Sequence, residues 1–278
     1  MFKGFYTATA GMLSQQRRTD MLTNNMSNVN TTGFKADQSS IRAFPEMLIE
    51  RLEIEKLSTS RSPSIGHKEE IGRLNTGVYM QEIIPNFMQG DLQETTHSTD
   101  IALVEREIPL GDEGAKGGLF FVVQGPDNTF RYTRNGNFTL DQAGFLTTNS
   151  GEYVLDRSRK PIQLQSENFK VDNQGNITED NVLIAQLDIA FANNLQNIVK
   201  EGNGLYRTND DQPLPTALEN DAIEYTLNQG FIERSNVDAS QTMTELLTAY
   251  RAFEANQKVM QAYDRSMDKA VNEIGRVR

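Results

Sequence analysis

The 278-residue sequence has no cysteine, no tryptophan and only two histidines, His67 and His97. Without cysteine there is no disulfide framework, no thiol nucleophile and no thiolate-bound zinc or iron–sulfur cluster. Two histidines in loop-like surroundings fall short of the ligand set a metal site needs, so neither metal nor cofactor is expected. No uninterrupted apolar run approaches the roughly 18 to 20 residues that span a bilayer, and the chain is not expected to be membrane-spanning. Positive charge is also scarce: 27 Lys and Arg stand against 38 Asp and Glu, a formal net charge of -11. That balance disfavours a phosphate-neutralising face, so nucleic acid is not an expected partner. Ala8-Thr9-Ala10 has the small-residue pattern of a signal-peptidase site, but the stretch before it is too short and too polar for a signal core. No cleaved secretory signal is expected.

What is present is 37% hydrophobic residues at a mean hydropathy of -0.55, below the usual apolar share of a self-sufficient globule. At roughly 150 residues per domain the length suggests about two domains, part of which must bury itself against something else. Charge is uneven. Residues 1–43 carry five basic side chains (Lys3, Arg17, Arg18, Lys35, Arg42) against Asp20 and Asp37, and residues 230–278 carry equal numbers of each sign. The acidity therefore belongs to the middle.

Both ends show helical periodicity. Phe5, Ala8, Met12, Gln15, Thr19, Leu22, Met26 and Val29 recur at spacings of three and four, the stripe of an amphipathic helix that should stop near Asn28–Gly33. At the other end the stripe runs through Leu246, Ala249, Phe253, Asn256, Met260, Tyr263, Met267, Ala270 and Ile274. Asp238 and Gln241 give it the spacing of a capping box, and about 37 helical residues would reach roughly 55 Å. Leu13, Leu247, Tyr250, Val259 and Val271 lie off the seam. A two-helix pair would thus leave apolar surface in water, for which neighbouring copies are the natural cover.

Between the ends, short β-branched and aromatic runs (78–84, 100–104, 119–124, 130–134, 137–140, 145–148 and 182–190) alternate with turn signals. Asn135-Gly136 is the strongest of these, the signature of a two-residue type I′ hairpin. The expected fold class is α+β: long N- and C-terminal helices forming a coiled-coil pair, with a central antiparallel β domain, a small barrel or sandwich. The expected division is 1–41 with 230–278 as a discontinuous assembly domain, 42–77 as a connecting helix (about Pro45 to Leu57) and flexible loop (Ser58–Gly66), and 78–229 as the β domain.

Catalytic chemistry finds little support. In Gly111–Gly118 the lysine precedes the last glycines and a strand follows, the reverse of a phosphate cradle, so a hairpin loop is expected. Asp172–Asn176 lacks the acid order of a calcium loop and reads as a tight turn. The histidines have no nucleophile-elbow serine beside them.

Three blocks resemble a known family. Thr23–Lys35, with Asn24, Asn25, Asn28, Asn30, Thr32, Gly33 and Phe34, resembles the N-terminal signature of the bacterial flagellar axial proteins, the rod and hook subunits. Gly118–Gln124 with Tyr132–Asp141, and Gln229–Asp238 (with Ser235, Asn236 and Val237) followed by Tyr250–Lys258, resemble two further family segments in the same order. The resemblance implies a non-enzymatic subunit of the basal-body rod, most like a distal rod protein or its close paralogue. It implies export through the flagellar type III apparatus, helical stacking with copies of itself and other rod and hook proteins, and terminal helices as the assembly interface. The sequence departs from the distal-rod type at Ile108–Gly117, where the family usually runs almost directly between two strands. A hook-type axial subunit is the alternative within the family. From another class, a secreted carbohydrate-binding β-domain protein or enzyme has only the acidic middle in its favour.

Overall fold

The computed structural model describes residues 2–54, 66–109, 117–125, 128–166, 168–220 and 222–274. They fall into two compact units. The first comprises Met1–Thr23, Ser39–Ile83 and Ser240–Arg278; the second comprises Asn24–Gln38 and Ile84–Ala239.

The first unit holds most of helix α1 (Phe2–Ser27), helix α2 (Ala239–Lys269) and two small antiparallel ribbons. Strand β1 (Asp37–Ala43) pairs with β4 (Val78–Pro85), and β2 (Met47–Ile54) with β3 (Gly66–Leu74). Gly77 permits the close approach of the β1–β4 ribbon to α1, because a Cβ there would sit 2.8 Å from that of Ala10. Met21, Leu22, Met80 and Ala249, with Leu246 against them, form the unit's small core. The helices meet through Gly4 against Tyr263, Thr9 against Met260 (3.7 Å), Gly11 against Asn256 and an Arg18–Glu245 ion pair (3.2 Å). One number rises as the other falls, so they lie antiparallel.

These contacts correct the expected coiled coil. Seam positions filled by glycine, threonine and arginine supply no knobs for opposing holes. Phe5, Met12, Phe253, Met260, Tyr263 and Met267 are accordingly only part-buried. The described residues contain two α-helices and eighteen strands in seven small sheets, so they are strand-rich and include no long coiled-coil pair. A second correction concerns Pro45–Leu57, where β2 replaces the expected connecting helix. A helix of that length is marginal in water, whereas pairing with β3 satisfies the same backbone groups across eight residues. The serine-rich loop expected at Ser58–Gly66 and the hairpin loop at Gly111–Gly118 lie almost wholly outside the described residues.

The second unit is built on an antiparallel five-stranded sheet of order β14-β7-β8-β16-β15. Its strands are β7 (Gly118–Gln124), β8 (Phe130–Thr133), β14 (Ile189–Ala192), β15 (Ile198–Lys200) and β16 (Leu205–Thr208). Period-two alternation lets β7 serve two cores: Leu119, Phe121 and Val123 enter the larger one, Phe120 and Val122 the smaller. That explains its unbroken apolar run. Around it stand β5 (Leu92–Glu94) with β18 (Phe231–Glu233), β6 (Ile101–Glu107) with β17 (Glu224–Gln229), and β9 (Phe138–Leu140) with β10 (Leu146–Thr148). A three-stranded meander, β11 (Lys170–Val171), β12 (Asn176–Glu179) and β13 (Val182–Gln186), completes the unit. The Asp172–Asn176 turn joins β11 to β12, with Gly175 at φ +87 and the Asp172 carboxylate accepting from Gln174 N and Asn176 N.

Asn135-Gly136 is not a type I′ hairpin. Neither residue has positive φ, and the flanking strands β8 and β9 pair in different sheets. The glycine is needed for close approach, since a Cβ on Gly136 would collide with the Ile101 carbonyl oxygen.

Two buried tyrosines, Tyr132 and Tyr206, and the half-buried Tyr225 give this unit an alkaline limit. Burial raises the pKa of Tyr206 and Tyr132 above the ordinary 10.0 and, reinforced by Asp188 and Asp172, pushes Tyr225 up to about 12. Each therefore contributes stability that is complete below pH 10 and is lost as pH climbs from there through the folded-state value. Lys35, lowered from 10.5, acts with the opposite sign, its penalty easing as pH rises toward 10.5. The unfolding free energy read from urea titrations should fall above pH 10, by up to about 1.4 kcal/mol per pH unit for each tyrosine. Tyr206→Phe should make the decline shallower; an unchanged slope would show that Tyr206 does not contribute.

Candidate functional site

The three sequence blocks converge in the second unit on Glu233, the last residue of β18. Lys35 Nζ donates to Glu233 Oε1 at 2.6 Å, and Arg134 Nε donates to Glu233 Oε2 at 3.1 Å. Gly90 N adds a third hydrogen bond to Oε1 at 2.8 Å. Arg134 then reaches the Glu105 carboxylate and the Leu119 carbonyl oxygen, each at 2.9 Å, while Lys35 also donates to Met88 O at 2.8 Å. The side chains of Lys35, Arg134 and Glu233 are each 1% exposed and that of Glu105 10%.

Two cations and two carboxylates leave this cluster electrically balanced. Isolated charges at such depth cost several kcal/mol apiece, a penalty met here by mutual attraction and dense hydrogen bonding. Burial still dominates at Lys35: desolvation, followed by repulsion from Arg134, holds its ammonium below the usual range against the pull of Glu233.

Backbone contacts fix the same junction. Gly33 N donates to Glu233 O at 2.8 Å, and Thr32 Oγ1 to Asn135 Oδ1 at 2.6 Å. Gly33 has φ +67, and a Cβ there would lie 2.5 to 2.7 Å from the Arg134–Asn135 peptide. Only glycine suits both the conformation and the space. Asn236 acts as a three-way clip: its Oδ1 accepts from Ala36 N, and its Nδ2 donates to the carbonyl oxygens of Asn86 and Met88. Asn25 binds both backbone groups of Asp37, at 2.8 and 2.9 Å, tying the last turn of α1 to the start of β1. Phe34 is buried beneath the Lys200 ammonium, 3.8 Å from the ring centroid, and Lys200 pairs with Asp37 at 3.0 Å.

The motif residues therefore do different jobs. Asn25, Thr32, Gly33, Phe34 and Asn236 build the junction. Val237 is buried, and Ser235 Oγ accepts from its amide. Asn24 and Asn28 bond to each other at the end of α1, and Asn30 is exposed. Among the proposed interface residues, Ala8 and Leu22 are buried; Met26, Val29, Leu246 and Asn256 are part-buried; the Ile274 side chain lies outside the described residues. Sequence reasoning passed over Lys35, Glu105, Arg134 and Glu233 as site residues. The available signal was a charged residue inside each block, Lys35 in the first, Arg134 beside Asp141 in the second and Glu233 beside Arg234 in the third, while Glu105 lies outside all three. Among the described residues no three His, Asp or Glu gather to hold a metal ion, and no helix is long and apolar enough to cross a membrane.

Comparison with known proteins matches the same blocks. Residues 5–35 fit the family model "Flagella basal body rod protein", 115–205 the "Flagellar hook protein FlgE/F/G D1 domain", and 228–273 the "Flagellar basal body rod FlgEFG protein C-terminal". The chain is 49% identical over 278 residues to the flagellar hook-basal body complex protein FlhO of Bacillus subtilis, covering all of both chains. It is 29% identical to the flagellar basal-body rod protein FlgG of Bacillus subtilis, covering 98% of this chain and 99% of that one. It is 27% identical to the basal-body rod protein FlgF of Caulobacter vibrioides, over the whole of both. The chain belongs to the flagellar basal-body rod protein family, and its place is the basal body of the bacterial flagellum.

Proposed function

We propose that the chain is a structural, non-catalytic subunit of the basal-body rod that polymerises with copies of itself, joins other rod and hook proteins, and is exported through the flagellar type III apparatus. The full-length relationship to hook-basal body and rod proteins carries this reading. The Glu233 junction supports it, because its charged groups are directed at one another rather than at a cleft. In this reading Phe5, Ala8, Met12, Leu22, Met26 and Val29 on the N-terminal side, and Leu246, Phe253, Asn256, Met260, Tyr263, Met267 and Ile274 on the C-terminal side, supply the assembly interface.

Deleting the gene should leave non-swimming cells whose basal bodies lack hooks, and restoring it should bring both back. Complete hooks on basal bodies without the chain would overturn the proposal.

A further inference from the structure

The first unit carries two apolar surfaces of opposite shape. One is a groove of about 380 Å³ along α1, lined by Tyr6, Leu13, Arg17, Phe44, Tyr79 and Met80 among others. Tyr6 is 65% exposed and Leu13 48%, an uncommon cost in water for large side chains on one wall. The other is convex: Met243, Leu247 and Tyr250 of α2 are 45 to 50% exposed. Their i, i+4, i+7 spacing is that of the anchors a helix lays into a groove.

Charge matches as well as shape. Arg17 stands in the groove, and Glu254 continues the α2 row one turn beyond Tyr250. Among the described residues neither has an ion-pair partner, whereas neighbouring Arg18 and Glu245 have each other.

We propose that the groove receives the Met243–Leu247–Tyr250 row of a second copy of this chain, with Arg17 paired to Glu254 of that copy. The inference rests on the rod-subunit reading and adds to its interface one contact between copies, made by residues beside the Phe5–Val29 and Leu246–Ile274 stripes. Because groove and row are different surfaces, the contact is heterologous: every copy offers one of each, and association propagates instead of closing on itself.

Absence of cysteine makes the test clean. Basal bodies isolated from cells expressing the full chain with Leu13→Cys and Leu247→Cys should, on oxidation, yield a reductant-sensitive ladder of dimers, trimers and larger species. Each single-cysteine chain should stay monomeric. In the cysteine-free chain, Arg17→Glu or Glu254→Arg alone should lower incorporation into basal bodies ~10-fold, and the two together should restore it to within about two-fold. Basal bodies that contain the double-cysteine chain but give only monomer, a dimer from Leu13→Cys alone, or a charge swap that fails to restore incorporation would each overturn the contact. Should the double-cysteine chain not assemble, the charge swap decides. Absence of the unaltered chain from basal bodies would overturn the rod reading, and the contact with it.

Discussion

Replacing Glu233 with alanine is expected to lower the melting temperature of the β-rich second unit by about 12 °C. Glu233 is the shared acceptor for Lys35, Arg134 and Gly90 N, so its removal leaves Lys35 as a buried cation without a carboxylate and Arg134 with Glu105 alone. Breaking a buried pair from one side costs about 3 to 5 kcal/mol, and for a unit of this size each kcal/mol moves the midpoint by about 3 °C. Scanning calorimetry of the full chain reads the shift. Lys35→Met in the Glu233→Ala background should recover part of the loss, because an apolar side chain of similar length removes one stranded charge. A shift below about 2 °C would mean that water enters and replaces the carboxylate, and that the junction is less tightly closed than its burial implies.

The second large effect is on assembly. Phe253→Asp should abolish swimming and incorporation into basal bodies while the transition of the second unit stays where it was. Phe253 is part-buried on α2, so a carboxylate there is held against apolar surface and desolvated by whatever packs beside it. In a polymer each copy repeats the penalty, so a cost of a few kcal/mol per contact suffices to stop growth. Phe253→Leu keeps the apolar character and should preserve swimming. Normal motility in Phe253→Asp would remove Phe253 from the interface; a displaced transition in the second unit would show the damage to be a folding defect instead.

The elements legible in the sequence are those whose signal is local and repeated. The three-and-four spacing from Phe5 to Val29 and from Leu246 to Ile274 marks α1 and α2, and the apolar run Leu119–Gln124 marks a strand buried on both faces. Failures came where a distant partner decides the outcome. Met47–Ile54 becomes a strand because β3 pairs with it. Asn135-Gly136 carries a strong hairpin signal, yet Ile101 and Thr32 press against it and the strands beside it separate. The coiled-coil expectation took periodicity as enough, whereas Gly4, Thr9 and Gly11 at the actual contact give the helices little to interlock. The Glu233 cluster was legible only in part, since Lys35 and Arg134 pair with it across 198 and 99 residues and charged side chains ordinarily face water.

That separation also sets an order of events in folding. Lys35 and Glu233 are 198 residues apart, so the bond between them closes a loop containing most of the chain. Such a contact comes late, because the entropy of closure falls due before the contact can repay it. While the polypeptide is made from its N-terminus, Lys35 Nζ lacks its carboxylate and the amides of Gly33 and Ala36 lack their acceptors until the segment from Glu233 to Asn236 has emerged. The opening segment therefore lacks this last set of bonds through most of synthesis. A chain truncated before residue 233 should keep that segment open to protease and to hydrogen exchange however well its β strands pair.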